Sequence, residues 1–128
     1  MSTKTTTIKG LKPGQYIMID EEPCKVLSIA LSKPGKHGST KARLDAVGIF
    51  DERKRSLLKP ADANVQVPII EKKKAQVISV SGDFVQLMEL EDYTTFEATI
   101  PPEMKGRLES GQEIGYWKIG NKILLKEA

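Results

Sequence analysis

The chain has 128 residues, 39% of them hydrophobic and 29% charged, with a net charge of +3. This is soluble globular composition, enough for one ordinary domain or two small ones. No apolar stretch is long enough to span a membrane, and a single cysteine, Cys24, excludes an internal disulfide. The polar start, residues 1–7, does not read as a signal peptide, so a reducing, cytoplasmic setting is expected. The charge is uneven. Residues 1–69 hold 12 Lys/Arg against 7 Asp/Glu (+5), and residues 70–128 hold 8 against 10 (−2). That asymmetry points to a polyanion partner for the first half.

Along the chain the pattern is short strands between turn signals. Lys12-Pro13-Gly14 predicts a turn, residues 16–19 an apolar strand, and Asp20-Glu21-Glu22-Pro23 a second turn. Residues 24–32 are β-rich, with Leu27, Ile29 and Leu31 expected on one face by the period of two. Ala42, Leu44 and Ala46 alternate with Arg43, Asp45 and Val47. Together these predict a long hairpin with a Pro/Gly-rich loop at its tip. The run 51–55 predicts a charged corner or a single helical turn. Pro68 interrupts an apolar run over 65–70 and, lacking an amide donor, belongs at an edge or strand end. The expected boundary follows, dividing 1–69 from 70–128, and Lys72-Lys73-Lys74 reads as a solvated linker.

The second half predicts strands over 75–81, 84–90 and 93–100. A helix-like piece follows from Pro101-Pro102-Glu103 to about Leu108. Strands over 113–119 and 122–126 then flank a tight Gly120-Asn121 turn. Five strands with one short helix after the third outline an OB-type barrel. The fold class is therefore all-β, two small barrels in series.

The segment 32–43 stands apart. It holds four cations, Lys33, Lys36, Lys41 and Arg43, the chain's one histidine, His37, and no acid. Pro34 restricts the backbone there, while Gly35 and Gly38 leave bare turns around Lys36. With no large apolar side chain between Lys33 and Lys41, the loop has nothing to pack and should project into solvent. Clustered cations on such a tip suit phosphates, and RNA or another polyanion is favoured over an idle basic turn. Gly35-Lys36 is not a nucleotide-binding loop. That motif needs Ser or Thr directly after the lysine and a glycine six residues before it; here those positions hold His37 and Ala30.

Lys33-Pro34-Gly35-Lys36-His37-Gly38 resembles the modification loop of the archaeal and eukaryotic translation factor 5A family, the hypusine-containing factors. The resemblance extends over the whole chain, including the opening 11–20, Glu22-Pro23-Cys24 and Val67-Pro68-Ile69-Ile70. Pro34 is the archaeal pattern, and Ser39 stands where a histidine is common in eukaryotes. The resemblance implies an SH3-like N-terminal barrel and a C-terminal OB-fold. It implies that deoxyhypusine synthase modifies Lys36 with the aminobutyl group of spermidine, to deoxyhypusine or hypusine, with no other cofactor. It further implies binding to the ribosome, to its rRNA and proteins, beside the peptidyl-tRNA, where the modified lysine promotes peptide-bond formation. Lys33, Pro34, Gly35, His37, Gly38, Lys41 and Arg43 become its loop and RNA-contact candidates. The competing reading is an unmodified RNA-binding module using the same loop and the OB face.

An enzyme is not expected. His37 has no nucleophile or orienting acid near it in sequence. Cys24 in a β-rich run reads as a buried small hydrophobe. One His and one Cys give no metal-ligand spacing. Of the C-terminal aromatics Phe84, Tyr93, Phe96, Tyr116 and Trp117, most are expected in the core. Adjacent Tyr116 and Trp117 must point to opposite faces, which leaves one of them as a candidate RNA or interdomain contact.

Overall fold

A threonine-rich opening is a good strand former even without apolar residues, because β-branched side chains suit the pleated backbone. In the computed structural model, which describes residues 3–33 and 40–126, it forms β1 (Thr3–Thr7). β1 pairs antiparallel with β6 (Asn64–Pro68). A single 3-10 turn, Ile8–Gly10, buries Ile8 and leads on toward the sheet. The sheet is four-stranded and antiparallel, in the order β2 (Tyr16–Ile19), β3 (Glu22–Ser32), β4 (Lys41–Gly48), β5 (Lys54–Pro60). The predicted turn between β2 and β3 is a two-residue one. Asp20 and Glu21 both have positive φ, 52° and 65°, as the tight hairpin turn that matches strand twist requires. β5 was hidden in the charged run: only 49–53 turn, and Lys54 and Arg55 already belong to the strand. Pro68 is the last residue of β6, a strand end, as expected.

Alternation in β4 is as read. Ala42, Leu44 and Ala46 are fully buried, in a core with Ile8, Ile17, Cys24 and Val26. β3 corrects the expectation for its face. A bulge between Val26 and Ser28 makes Leu27 the extra residue. Val26, Ile29 and Leu31 therefore lie opposite Ala46, Leu44 and Ala42, while Leu27 drops out of that row.

The chain divides into two compact units, Met1–Ile69 and Ile70–Ala128. In the second, β7 (Ile70–Ser81) starts earlier than expected, so Lys72-Lys73-Lys74 is strand and not linker. With β8 (Phe84–Glu89), β9 (Thr95–Thr99), β10 (Glu113–Ile119) and β11 (Lys122–Lys126), it forms one antiparallel sheet in the order β11-β10-β7-β8-β9. β9 also approaches β11, so the sheet curls toward closure. Ser81 pairs with Phe84 and Ile119 with Lys122, and each two-residue turn places glycine first with positive φ, Gly82 at 61° and Gly120 at 62°. The helix-like piece is shorter than expected. It is one 3-10 turn, Pro102–Met104, which buries Met104; Gly106 at φ 77° follows at once. The fold is all-β, an SH3-like barrel followed by an OB-fold barrel.

Among the described residues, one charged side chain sits in the second core. Glu89 is 3% exposed. It accepts the Tyr116 hydroxyl at 2.9 Å and the Glu91 amide, with Lys73 Nζ 4.0 Å away. The amide bond and the hydroxyl hold its carboxyl below the usual range against the opposing effect of burial. Burial, reinforced by the carboxylate, pushes the Tyr116 phenol well up.

Candidate functional site

The β3–β4 hairpin closes at the pair Ser32–Lys41, which puts eight residues, 33–40, in the loop. Its last three rungs are Ala30–Arg43–Leu58, Leu31–Ala42–Lys59 and Ser32–Lys41–Pro60 across β3, β4 and β5. The Ala61 amide donates to the Thr40 carbonyl at 2.9 Å, tying the base of the loop to the segment after β5. Ala42, fully buried, anchors the same end from inside.

The charge at this end is one-signed. Lys33, Lys41, Arg43 and Lys59 are exposed, and those three rungs carry no acid. The first acid back along the outward face is Asp45. It accepts Ser28 Oγ at 3.2 Å and Ser56 Oγ at 2.5 Å, and Arg43 Nε lies 3.9 Å away. The serine bonds, that of Ser56 foremost, hold its carboxyl below the ordinary aspartate range. Arg43 keeps a side chain 68% exposed. Leu31 and Leu58 are 56% and 71% exposed, so the hairpin end also offers apolar surface beside its cations.

Of the sequence-predicted site residues, Lys33, Lys41 and Arg43 thus come together around the loop base. Pro34, Gly35, Lys36, His37 and Gly38 lie outside the described residues. Lys59 was missed because β5 was missed. The alternation of Arg55, Leu57 and Lys59 with Lys54, Ser56 and Leu58 was its only signal.

The other singled-out residues have structural roles. Asp51 accepts both Arg55 guanidinium nitrogens at 3.1 and 2.6 Å and the Arg53 amide at 3.0 Å, which hold its carboxyl far below the usual range. Gly48 makes room for this pair: a Cβ there would lie 1.9 Å from Asp51 Oδ1. The charged corner is closed on itself. Cys24 is fully buried and donates to the Glu22 carbonyl at 3.4 Å. Burial pushes its thiol up although Arg55 pulls the other way, so it behaves as core.

The aromatics do not fall as expected. Tyr116 and Phe96 belong to the second core, their ring centroids 4.9 Å apart. Phe84 and Tyr93 are 48% and 70% exposed. Trp117, on the opposite side of β10 from Tyr116, is half-buried beneath two lysines, Lys72 Nζ at 4.9 Å and Lys126 Nζ at 4.3 Å from its ring. Among the described residues no helix is long and apolar enough to cross a membrane.

Two family descriptions match the chain. Residues 1–63 match "Translation initiation factor 5A-like, N-terminal", and residues 69–125 match "Eukaryotic elongation factor 5A hypusine, DNA-binding OB fold". The translation initiation factor 5A of Methanothermobacter thermautotrophicus is 50% identical over 127 residues, 98% of each chain. That of Methanoregula boonei is 58% identical over 111 residues, 87% of this chain and 89% of its own. The solved structure of the Methanococcus jannaschii factor superposes with a TM-score of 0.90 at 42% identity, covering 98% of this chain and 93% of that one.

Proposed function

This chain belongs to the translation initiation factor 5A family, and from that premise we propose that it binds the ribosome beside the peptidyl-tRNA and promotes peptide-bond formation through a hypusine or deoxyhypusine on Lys36. The observation that supports this most is the hairpin end. Three rungs carrying three exposed cations, Lys41, Arg43 and Lys59, and no acid lead to the sequence Lys33-Pro34-Gly35-Lys36-His37-Gly38, whose exposed Lys33 adds a fourth. A charge of one sign there raises the local attraction for phosphates, steers approach to rRNA and fixes register without reading sequence. Lys36 then does something its neighbours do not. Deoxyhypusine synthase, using spermidine, lengthens its side chain by an aminobutyl group. The extension keeps the positive charge and adds donors, so a narrow loop carries a cation into an RNA cavity that excludes a barrel.

The contribution of that side chain is positional. Holding the acceptor end of a tRNA in a reactive pose lowers the entropic part of the barrier. The catalytic centre stays with the ribosome, and this chain is no enzyme. Action there sets its place in the cytoplasm.

Intact-mass analysis of protein purified from its native host tests the modification, with an aminobutyl adduct expected on Lys36. Lys36→Arg should fold as the parent does and lose stimulation of stalled peptide synthesis. Quantitatively unmodified native protein, or a variant that stimulates normally, overturns the reading in favour of an unmodified RNA-binding module.

A further inference from the structure

We propose that the outer face of β7, β10 and β11 is a second RNA-binding surface, on which Trp117 stacks an unpaired base while Lys72 and Lys126 take the flanking phosphates. The strand register builds it. Lys72 lies directly opposite Trp117, and in the next row Lys74, Gly115 and Lys126 lie side by side. Lys122 shares this side of β11 by the period of two. Gly115 has no side chain, so the row beside the indole stays low and a planar group can approach it. The acid on this side of β10 is Glu113, four residues from Trp117 at the far end of the strand.

Both lysine ammonium groups rest over the indole ring, and neither forms an ion pair with a described carboxylate. An exposed cation over an aromatic ring is a weak contact, whereas a base stacked on the same ring is a stronger one. An arriving base exchanges the first for the second, and each displaced ammonium swings to a phosphate. The lysines thus cover the indole in the free protein and become its electrostatic partners in the complex.

This is not the face that OB-folds commonly use for oligonucleotides, which lies over the second and third strands. Here those are β8 and β9. Their outer rows are Phe84–Thr99, Gln86–Glu97 and Met88–Thr95, with one acid and no cation. That surface lacks the charge to hold a phosphate backbone. The opposite part of the barrel has both charge and ring.

Family membership supplies only the class of partner, RNA. Modification of Lys36 does not enter, so unmodified protein tests the surface, and its failure would leave the loop reading untouched. The chain has a single tryptophan beside three tyrosines, so fluorescence excited selectively at the indole reports on this face alone. Full-length protein titrated with a twelve-nucleotide single-stranded oligoadenylate at low salt should show saturable quenching, whose midpoint rises with salt. Lys72→Gln/Lys126→Gln, with an unchanged melting temperature, should weaken the midpoint about tenfold, and Glu97→Gln should leave it in place. The same strand fully paired in a duplex should quench little, because its bases are already stacked. No quenching, a wild-type midpoint in the double variant, or equal quenching by the duplex would each overturn the proposal.

Discussion

The hairpin end of the first unit and the tryptophan face of the second are both basic, but they present their charge differently. At the hairpin end, four cations ring the base of a loop with no Phe, Tyr or Trp, and the inward residues of β4, Ala42, Leu44 and Ala46, are core. On the β7–β10–β11 face, lysines lie flat around one indole. The first arrangement suits delivery of a single long side chain; the second suits holding a base. Charge count alone hides the second surface, since its unit is net acidic. Register does, because it decides which cations share a face and what stands between them.

The largest effect should come from breaking the inward half of the hairpin. Leu44→Ala removes a fully buried side chain at the centre of β4 and should cost about 2–5 kcal/mol in denaturant unfolding. Arg43→Gln, its outward neighbour, should stay within about 0.5 kcal/mol. If the two costs were similar, the outward face would be structural and not a binding surface.

A smaller effect separates the two sides of β10. Tyr116→Phe removes a hydrogen bond to the Glu89 carboxylate and should cost about 1.5–3 kcal/mol near neutral pH. The sign with pH follows from the direction of the Glu89 shift. Its folded pKa is lowered, so its stabilisation is present above the ordinary glutamate range and is lost as pH falls through the depressed value. The gap between parent and variant, measured by unfolding at several pH values, should therefore close in acid. Trp117→Phe should show no such gap or pH trend.

The smallest effect sharpens the comparison itself. Replacing one phosphate-contacting lysine on either surface should flatten the dependence of log affinity on log salt by about 0.7 for a single-stranded probe. Only replacements around Trp117 should also alter the quenching curve.

Much of this fold was legible because its strands obey simple alternation. Ala42, Leu44 and Ala46 announced the inward face of β4, and Gly120-Asn121 announced a tight turn. Three features escaped for physical reasons. β1 is all polar, so no apolar period marks it. β5 begins inside a charged run, and its partner strand rather than its own composition makes it a strand. The bulges in β3 and β7 insert one residue, which breaks the period of two and shifted Leu27 off its expected face. At the candidate site, Lys33, Lys41 and Arg43 were readable as a cluster, but Lys59 required knowing that β5 lies beside β4. Trp117 was readable as one of two facing options. Lys126 lies across the predicted Gly120-Asn121 hairpin, but Lys72 is 45 residues before Trp117 in sequence, on a strand that no local pattern could place beside β10.

The hairpin also behaves as a ruler. Each strand residue adds roughly 3.3 Å of length, and Leu31, Ala42 and Lys59 fix which side of the arm faces inward. Adding one residue to each strand would lengthen the arm but turn the outward cations Lys41 and Arg43 to the wrong side. Only two per strand would restore the faces, in a step of roughly 6.7 Å. The length of the arm can therefore change only in coarse increments. On the function proposed above, fine adjustment of reach falls to the length of the Lys36 side chain.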